Sequence, residues 1–103
     1  MKTAKISRYA WNYILKDMCF HPDDVCVYEE TDDNGNYLCV KVSVDGWYRL
    51  NWIEVEMYDA NDNRLEMDAD QYALLTNEIE DILAEMKADA MAEARYEQWL
   101  LAR

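Results

Sequence analysis

Glycine and proline are nearly missing from this chain, which has two glycines, Gly35 and Gly46, and one proline, Pro22, in 103 residues. Both glycines fall between strand-like runs, so no glycine-rich loop is left to cradle a phosphate. One histidine, His21, and two serines, Ser7 and Ser43, are present, without a G-x-S-x-G or H-E-x-x-H pattern. The commonest hydrolase and metalloprotease signatures are therefore absent. Basic residues are scarce, with 10 Lys and Arg against 22 Asp and Glu and a formal net charge of -12. Nonspecific binding to nucleic acid or to an anionic membrane needs the opposite balance. No apolar run approaches the ~20 residues of a membrane span. Three cysteines cannot all pair within one chain, and without secretory context they read as reduced thiols in a cytoplasmic protein. The basic start, Met1 to Lys5, is followed by polar interruptions at Ser7, Arg8 and Asn12, which is not the apolar core of a secretory leader.

Apolar types make up 51% of the chain, with eight Tyr and four Trp. That composition disfavours disorder, and the length suits one domain with a core of its own. Ile6, Ala10, Tyr13, Ile14 and Met18 recur at helical spacing and predict a helix over about 5–20, stopped before Pro22. Two alternating runs around Asn34-Gly35 predict a hairpin over about 25–44. With Asn34 and Gly35 as a two-residue tip, Val27 faces Val42 and Val25 faces Val44. Val25, Val27, Leu38, Val40, Val42 and Val44 then form one core face.

A strand follows over about 47–58, where the alternation changes phase and predicts a bulge or bend near Asn51-Trp52. A polar turn at 59–64 leads to a possible short strand at 64–67. Asp68 reads as an N-cap, with Gln71 completing a capping box. No Gly or Pro interrupts the helix predicted over about 69–102, whose apolar stripe runs through Tyr72, Leu75, Ile79, Ile82, Met86 and Ala90. Such a helix measures about 50 Å at ~1.5 Å per residue. It must either break near Lys87-Ala88-Asp89 or pack its end on a partner, and a second copy is the preferred reading. The expected fold is α+β: an N-terminal helix, a three- to four-stranded antiparallel β-meander and a long C-terminal helix on one sheet face.

Groups that could carry chemistry are few. Glu54 and Glu56 project from the same strand face, opposite Ile53 and Val55, and read as a solvated surface rather than an acid–base pair. Cys19, His21, Cys26 and Cys39 offer zinc-ligand types, but the first two are too close in sequence for an ordinary structural site, and packing cysteines are the better reading. Asp59, Asn61, Asn63 and Asp70 imitate a calcium loop, yet Arg64 stands where a glycine makes the sharp turn. The basic N-terminal segment, Lys2, Lys5, Arg8 and Lys16, is read as attracted to the acidic remainder of its own chain. No enzyme activity, cofactor or metal is expected.

Acidity is the feature left to explain. Residues 23–33 contain six acids and no base, and residues 54–85 contain eleven acids and only Arg64. Alternate residues on a strand lie ~6.8 Å apart, and rows of carboxylates at such spacing resemble the charges of a nucleic-acid backbone. In size, build and charge the chain resembles the small inhibitors that phages and mobile elements use against host defence, the DNA-mimicking anti-CRISPR and antirestriction proteins. That resemblance, one of class only, implies a basic nucleic-acid-binding partner. The expected partner-binding residues are Asp23, Asp24, Glu29, Glu30, Asp32, Asp33, Glu54, Glu56, Asp59 and Asp62. The alternative is an accessory domain that dimerises through Tyr96, Trp99, Leu100 and Leu101.

Overall fold

A computed structural model describes residues 2–102. It has the element order β1 (Thr3–Ala4), α1 (Arg8–Lys16), β2 (Asp24–Thr31), β3 (Tyr37–Val44), β4 (Leu50–Tyr58), β5 (Arg64–Met67) and α2 (Ala69–Leu101). The fold is α+β, but the sheet corrects the expected meander. Among the described residues it has five strands in the order β1-β5-β4-β3-β2, with β1 parallel to β5 and the other pairs antiparallel. Two residues are too short to show a period, so β1 has no sequence signal of its own. It is held by Glu66 N–H donating to the Lys2 carbonyl and Asp68 N–H to the Ala4 carbonyl, each at 2.9 Å.

Helix α1 is shorter at both ends than the periodicity over 5–20 suggests, starting after the extended Thr3–Ala4 segment and stopping at Lys16. Ser7 caps it, accepting from Ala10 N–H at 3.2 Å, and Asp17 ends it with an N–H bond to the Tyr13 carbonyl. Gln71 departs from the expected capping box. Asp68 does cap α2, accepting from Asp70 N–H and Gln71 N–H. The Gln71 side chain instead reaches Ile6, accepting from its N–H at 2.7 Å and donating to its carbonyl at 3.2 Å. The Asp68 N–H is already engaged by Ala4, so the amide is free to tie the two chain segments together.

Both helices pack on one face of the sheet. Leu38, Val40, Val42, Val44, Ile53 and Met57 meet Ala10 and Ile14 of α1 and Leu75, Ile79 and Leu83 of α2 in one buried cluster. Each fully buried Leu or Ile contributes about 1.5–3 kcal/mol relative to exposure. Tyr72 anchors the start of α2 by donating its hydroxyl to the Ile53 carbonyl at 2.8 Å. The bulge lies where the phase change predicts it. Ser43 pairs with Trp52 and Val44 with Leu50, leaving Asn51 as the extra residue. Asn51 Nδ2 donates to Ser43 Oγ at 3.3 Å across it.

The hairpin register is one residue away from expectation. Cys26 faces Val42, Tyr28 faces Val40 and Thr31 faces Tyr37, so Cys26 and Tyr28 join the core, and Val25 and Val27 turn outward. The reason is turn length. Asp32 N–H donates to the Asn36 carbonyl and Gly35 N–H to the Asp32 carbonyl, each at 3.0 Å, so the loop is Asp33-Asn34-Gly35 rather than Asn34-Gly35. Gly35 alone takes the left-handed conformation, at φ 85°, as the closing residue of such a three-residue loop does.

The long helix runs unbroken through Lys87-Ala88-Asp89. It carries the molecule to 64 Å in its longest dimension against 24 and 21 Å in the others, with a radius of gyration of 17.0 Å. A globule of about 100 residues measures ~13 Å. A β-carbon at Gly35 would lie in ordinary contact with Ala60 Cβ of the β4–β5 turn, at 3.4 Å, and would add left-handed strain. Gly35→Ala is therefore expected to lower stability by about 1–2 kcal/mol, read as a lower urea midpoint at constant denaturant slope.

Candidate functional site

Among the described residues no element covers the sheet face away from the helices, and four of the chain's 22 acids lie on it. Alternation places Glu29 of β2, Glu54 and Glu56 of β4, and Glu66 of β5 on this side. Glu29 faces Cys39, which faces Glu56, and Lys41 lies between Val27 and Glu54. Apolar groups are interspersed with the acids. Val25 is 45% exposed, Val27 53% and Trp52 45%, and the rings of Tyr37 and Tyr58 meet at 6.1 Å. A face that mixes exposed large apolar groups with charge is typical of an interaction surface.

At one end of this face, two acidic turns abut. They bring together Asp32 and Asp33 of the β2–β3 turn and Asp59 and Asp62 of the β4–β5 turn. In each, the first aspartate spends its carboxylate on the turn itself. Asp32 Oδ1 accepts from Asn34 N–H and Asn36 N–H at 2.9 Å, and Oδ2 accepts from Asn36 Nδ2 at 3.0 Å. Asp59 makes the same bonds with Asn61 and Asn63 at 2.9–3.1 Å. The β3–β4 turn repeats the backbone pattern, with Asp45 Oδ1 accepting from Trp47 N–H and Arg49 N–H at 2.8 Å. The fourth residue of each turn is left-handed: Gly35 at φ 85°, Tyr48 at 60° and Asp62 at 62°.

The ten expected partner-binding residues thus fall into separate groups. Glu29, Glu54 and Glu56 share the open face, and Asp32, Asp33, Asp59 and Asp62 crown one end of it. Asp23 and Asp24 lie at the opposite end, where Asp23 N–H donates to the Asp45 carbonyl at 3.2 Å. Glu30 is on the helix side and accepts the Tyr28 hydroxyl bond. Burial of Tyr28, then the Glu30 carboxylate, pushes that phenol above its ordinary range. Desolvation, then Glu29, does the same to Tyr37. Both shifts favour the neutral phenol.

Cys26 and Cys39 lie on opposite sides of the sheet, and Cys26 Sγ donates to the Cys19 carbonyl at 3.0 Å. Among the described residues no group of three or more His, Cys, Asp or Glu is arranged to hold a metal ion. No helix among them is long and apolar enough to cross a membrane. Beside the abutting turns is a shallow cleft of about 250 Å³, lined among others by Lys5, Ser7, Glu30, Asp32 and Tyr58. Comparison with known proteins finds no matching family model, no similar curated sequence and no similar solved structure.

Sequence reasoning missed Val25, Val27 and Trp52 as surface groups. The signal was the five-residue spacing Asp32-x-x-x-Asn36, repeated at Asp59-x-x-x-Asn63, which specifies a longer turn than Asn-Gly alone.

The three turn aspartates titrate below the ordinary value of 3.8. The leading cause is the Asn36 side-chain bond for Asp32, the Arg49 N–H for Asp45 and the Asn63 N–H for Asp59. Groups depressed on folding add stability above their unfolded value, and the contribution is lost as pH falls through the folded one. The urea midpoint should therefore fall on acidification from about pH 5 to about pH 3. It should fall less in a variant combining Asp32→Asn, Asp45→Asn and Asp59→Asn, and equal slopes would assign acid sensitivity to other carboxylates.

Proposed function

We propose that this chain is a non-enzymatic binding protein whose acidic surface occupies the nucleic-acid site of a basic partner. In this reading it acts as a DNA mimic of the anti-CRISPR or antirestriction kind, directed by a phage or mobile element against a host nuclease or restriction component.

The supporting observation is the arrangement of carboxylates around β3. Glu54 and Glu56 form one column on β4 that runs toward the Asp59–Asp62 turn. Glu29 on β2 heads another toward Asp32 and Asp33. Glu54 and Glu56 are ~6.8 Å apart along β4, and the β2 and β4 columns, two strands apart, are separated by about 9.6 Å. These spacings are on the scale of a duplex, whose grooves are ~6 and ~12 Å wide. The sheet fixes the backbone that bears the charges, so only side-chain ordering remains to be met at binding. Trp52, Val25 and Val27 supply the apolar contact that a charged rim lacks.

The test is capture from nuclease-treated bacterial lysate at low salt, followed by elution with heparin or high salt. A basic nucleic-acid-binding protein should be recovered and released. Combining Glu29→Lys, Asp33→Lys, Glu54→Lys and Glu56→Lys should weaken its binding by at least about tenfold. These positions leave the turn-locking Asp32 and Asp59 intact, but Glu54→Lys faces Lys41 across the ladder, so circular dichroism of the variant is read first to check that the fold is kept. An affinity indifferent to both salt and charge reversal would defeat the mimicry reading.

A second reading rests on the end of α2. Every residue from 91 to 102 is exposed, including Tyr96 at 61% and Leu101 at 88%. The Tyr96 and Trp99 rings stack at 6.1 Å, and Leu100 continues the patch. Apolar groups on an overhanging helix favour a second copy as their cover. Light scattering should then give twice the chain mass, and Tyr96→Ser with Leu100→Ser and Leu101→Ser should restore the monomer. A wild-type monomer at high concentration would exclude this interface.

A further inference from the structure

Strand β2 ends the sheet, and its free edge is long, regular and unprotected. All eight residues pair with β3 without a register shift. The Asp32 N–H bond to the Asn36 carbonyl identifies which residues face which way, because bonded and non-bonded pairs alternate along an antiparallel ladder. Even-numbered residues direct their backbone groups to β3. Val25, Val27, Glu29 and Thr31 therefore point theirs outward. Val25 N–H is capped at 2.8 Å by the carboxylate of Asp24, which leaves Val27, Glu29 and Thr31 to offer N–H groups to a further strand. Among the described residues no lysine, proline or bulge guards this edge, although those are the usual means of blocking edge pairing.

Two further observations specify the chemistry of an incoming strand. The edge and its flanking turns carry six acids and no base over residues 23–33. Beside it, between the α1–β2 connection and the start of β2, lies a cleft of about 360 Å³ lined by Tyr13, Asp17, His21, Asp24, Val25 and Val27 among others, with two carboxylates against one imidazole. A strand added to an edge alternates its side chains between the two sheet faces. One set would enter this cleft near the Asp17 and Asp24 carboxylates. The other would lie along Val27 and Glu29 on the open face. A second copy of β2 is disfavoured, since two strands without a base would set acid against acid.

We propose that the β2 edge captures an extended, basic segment of the partner protein as a sixth strand of the sheet. Backbone bonds to Val27, Glu29 and Thr31 would give affinity, and the acidic cleft would select Lys or Arg at alternate positions. This rests on the reading of the chain as an acidic binding protein and locates the contact within it.

The test uses a blocked octapeptide of alternating lysine and valine, titrated into the full chain at low salt. A companion peptide has the same sequence and charge but is N-methylated at every second residue, with both methylation phases made so that one removes the edge-facing donors. The proposal predicts that one phase binds at least about tenfold more weakly than the unmodified peptide. Val27→Pro should weaken the unmodified peptide similarly. Its N–H faces away from β3, so the ladder keeps its bonds. If Val27→Pro fails to fold, the methylated peptides still decide, because they are read on the unaltered chain. Equal binding of all three peptides would reduce the contact to charge alone and overturn edge pairing, while leaving the acidic-surface reading in place. Binding by none of them would also overturn it, whereas failure of the acidic-surface reading would show separately, as a captured partner indifferent to salt.

Discussion

A carboxylate bonded to the backbone of its own turn is the interaction on which the rest of this sheet depends. Hairpins ordinarily rely on glycine or asparagine to supply positive φ, and this chain has only two glycines. Asp32, Asp45 and Asp59 each gather the N–H groups two and four residues ahead. That holds the fourth residue left-handed even where it is Tyr48 or Asp62. The bonds that shape the loops also satisfy N–H donors that the tight turns would otherwise leave to water. Three hairpin connections thus follow one chemical rule, and the sheet inherits its registers from them.

Register, in turn, decides which surface the protein presents. A one-residue change in loop length moves every side chain of a strand to the other face. In β2 it brings Cys26 and Tyr28 into the core and leaves Val25 and Val27 about half exposed. Tyr28 gains a ring contact with Tyr13 at 4.9 Å and a bond to Glu30. The same shift puts Glu29 on the face that also carries Glu54 and Glu56. The open face therefore owes Val25, Val27 and Glu29 to the turn at Asp32.

Signals that lie within one element were legible in the sequence. The unbroken periodicity of α2, the phase change at Asn51, the Asp68 cap and the short strand near Leu65 all appear in the structure where the residues place them. Features that depend on distant partners were not legible. The parallel pairing of Thr3 with Glu66 spans 63 residues of sequence and involves too little chain to leave a pattern. Gln71 has the right spacing for a capping box, but its competitor, the backbone of Ile6, lies 65 residues away. For the candidate surface, acidity was readable as composition, while its division among the open face, the turns and the helix side was not. That division required the register, and the register required recognising Asp32 rather than Asn34 as the start of the turn.

The charge also bears on why an unguarded edge strand is tolerable. A naked edge is a template for any extended chain, its own included. With a net charge of -12 and no base on β2, self-pairing brings carboxylates together at strand spacing and is penalised. At physiological ionic strength the screening length is ~8 Å, so this penalty acts at contact range, where pairing is decided. A basic segment meets no such penalty and gains from the same groups. In the proposed complex the acids hold a basic segment by an attraction that salt weakens and make an acidic segment costly, while the sheet edge and the exposed Val27 and Trp52 would add contact that depends less on charge. On this account salt should weaken discrimination between basic and acidic segments more than it weakens the backbone pairing itself.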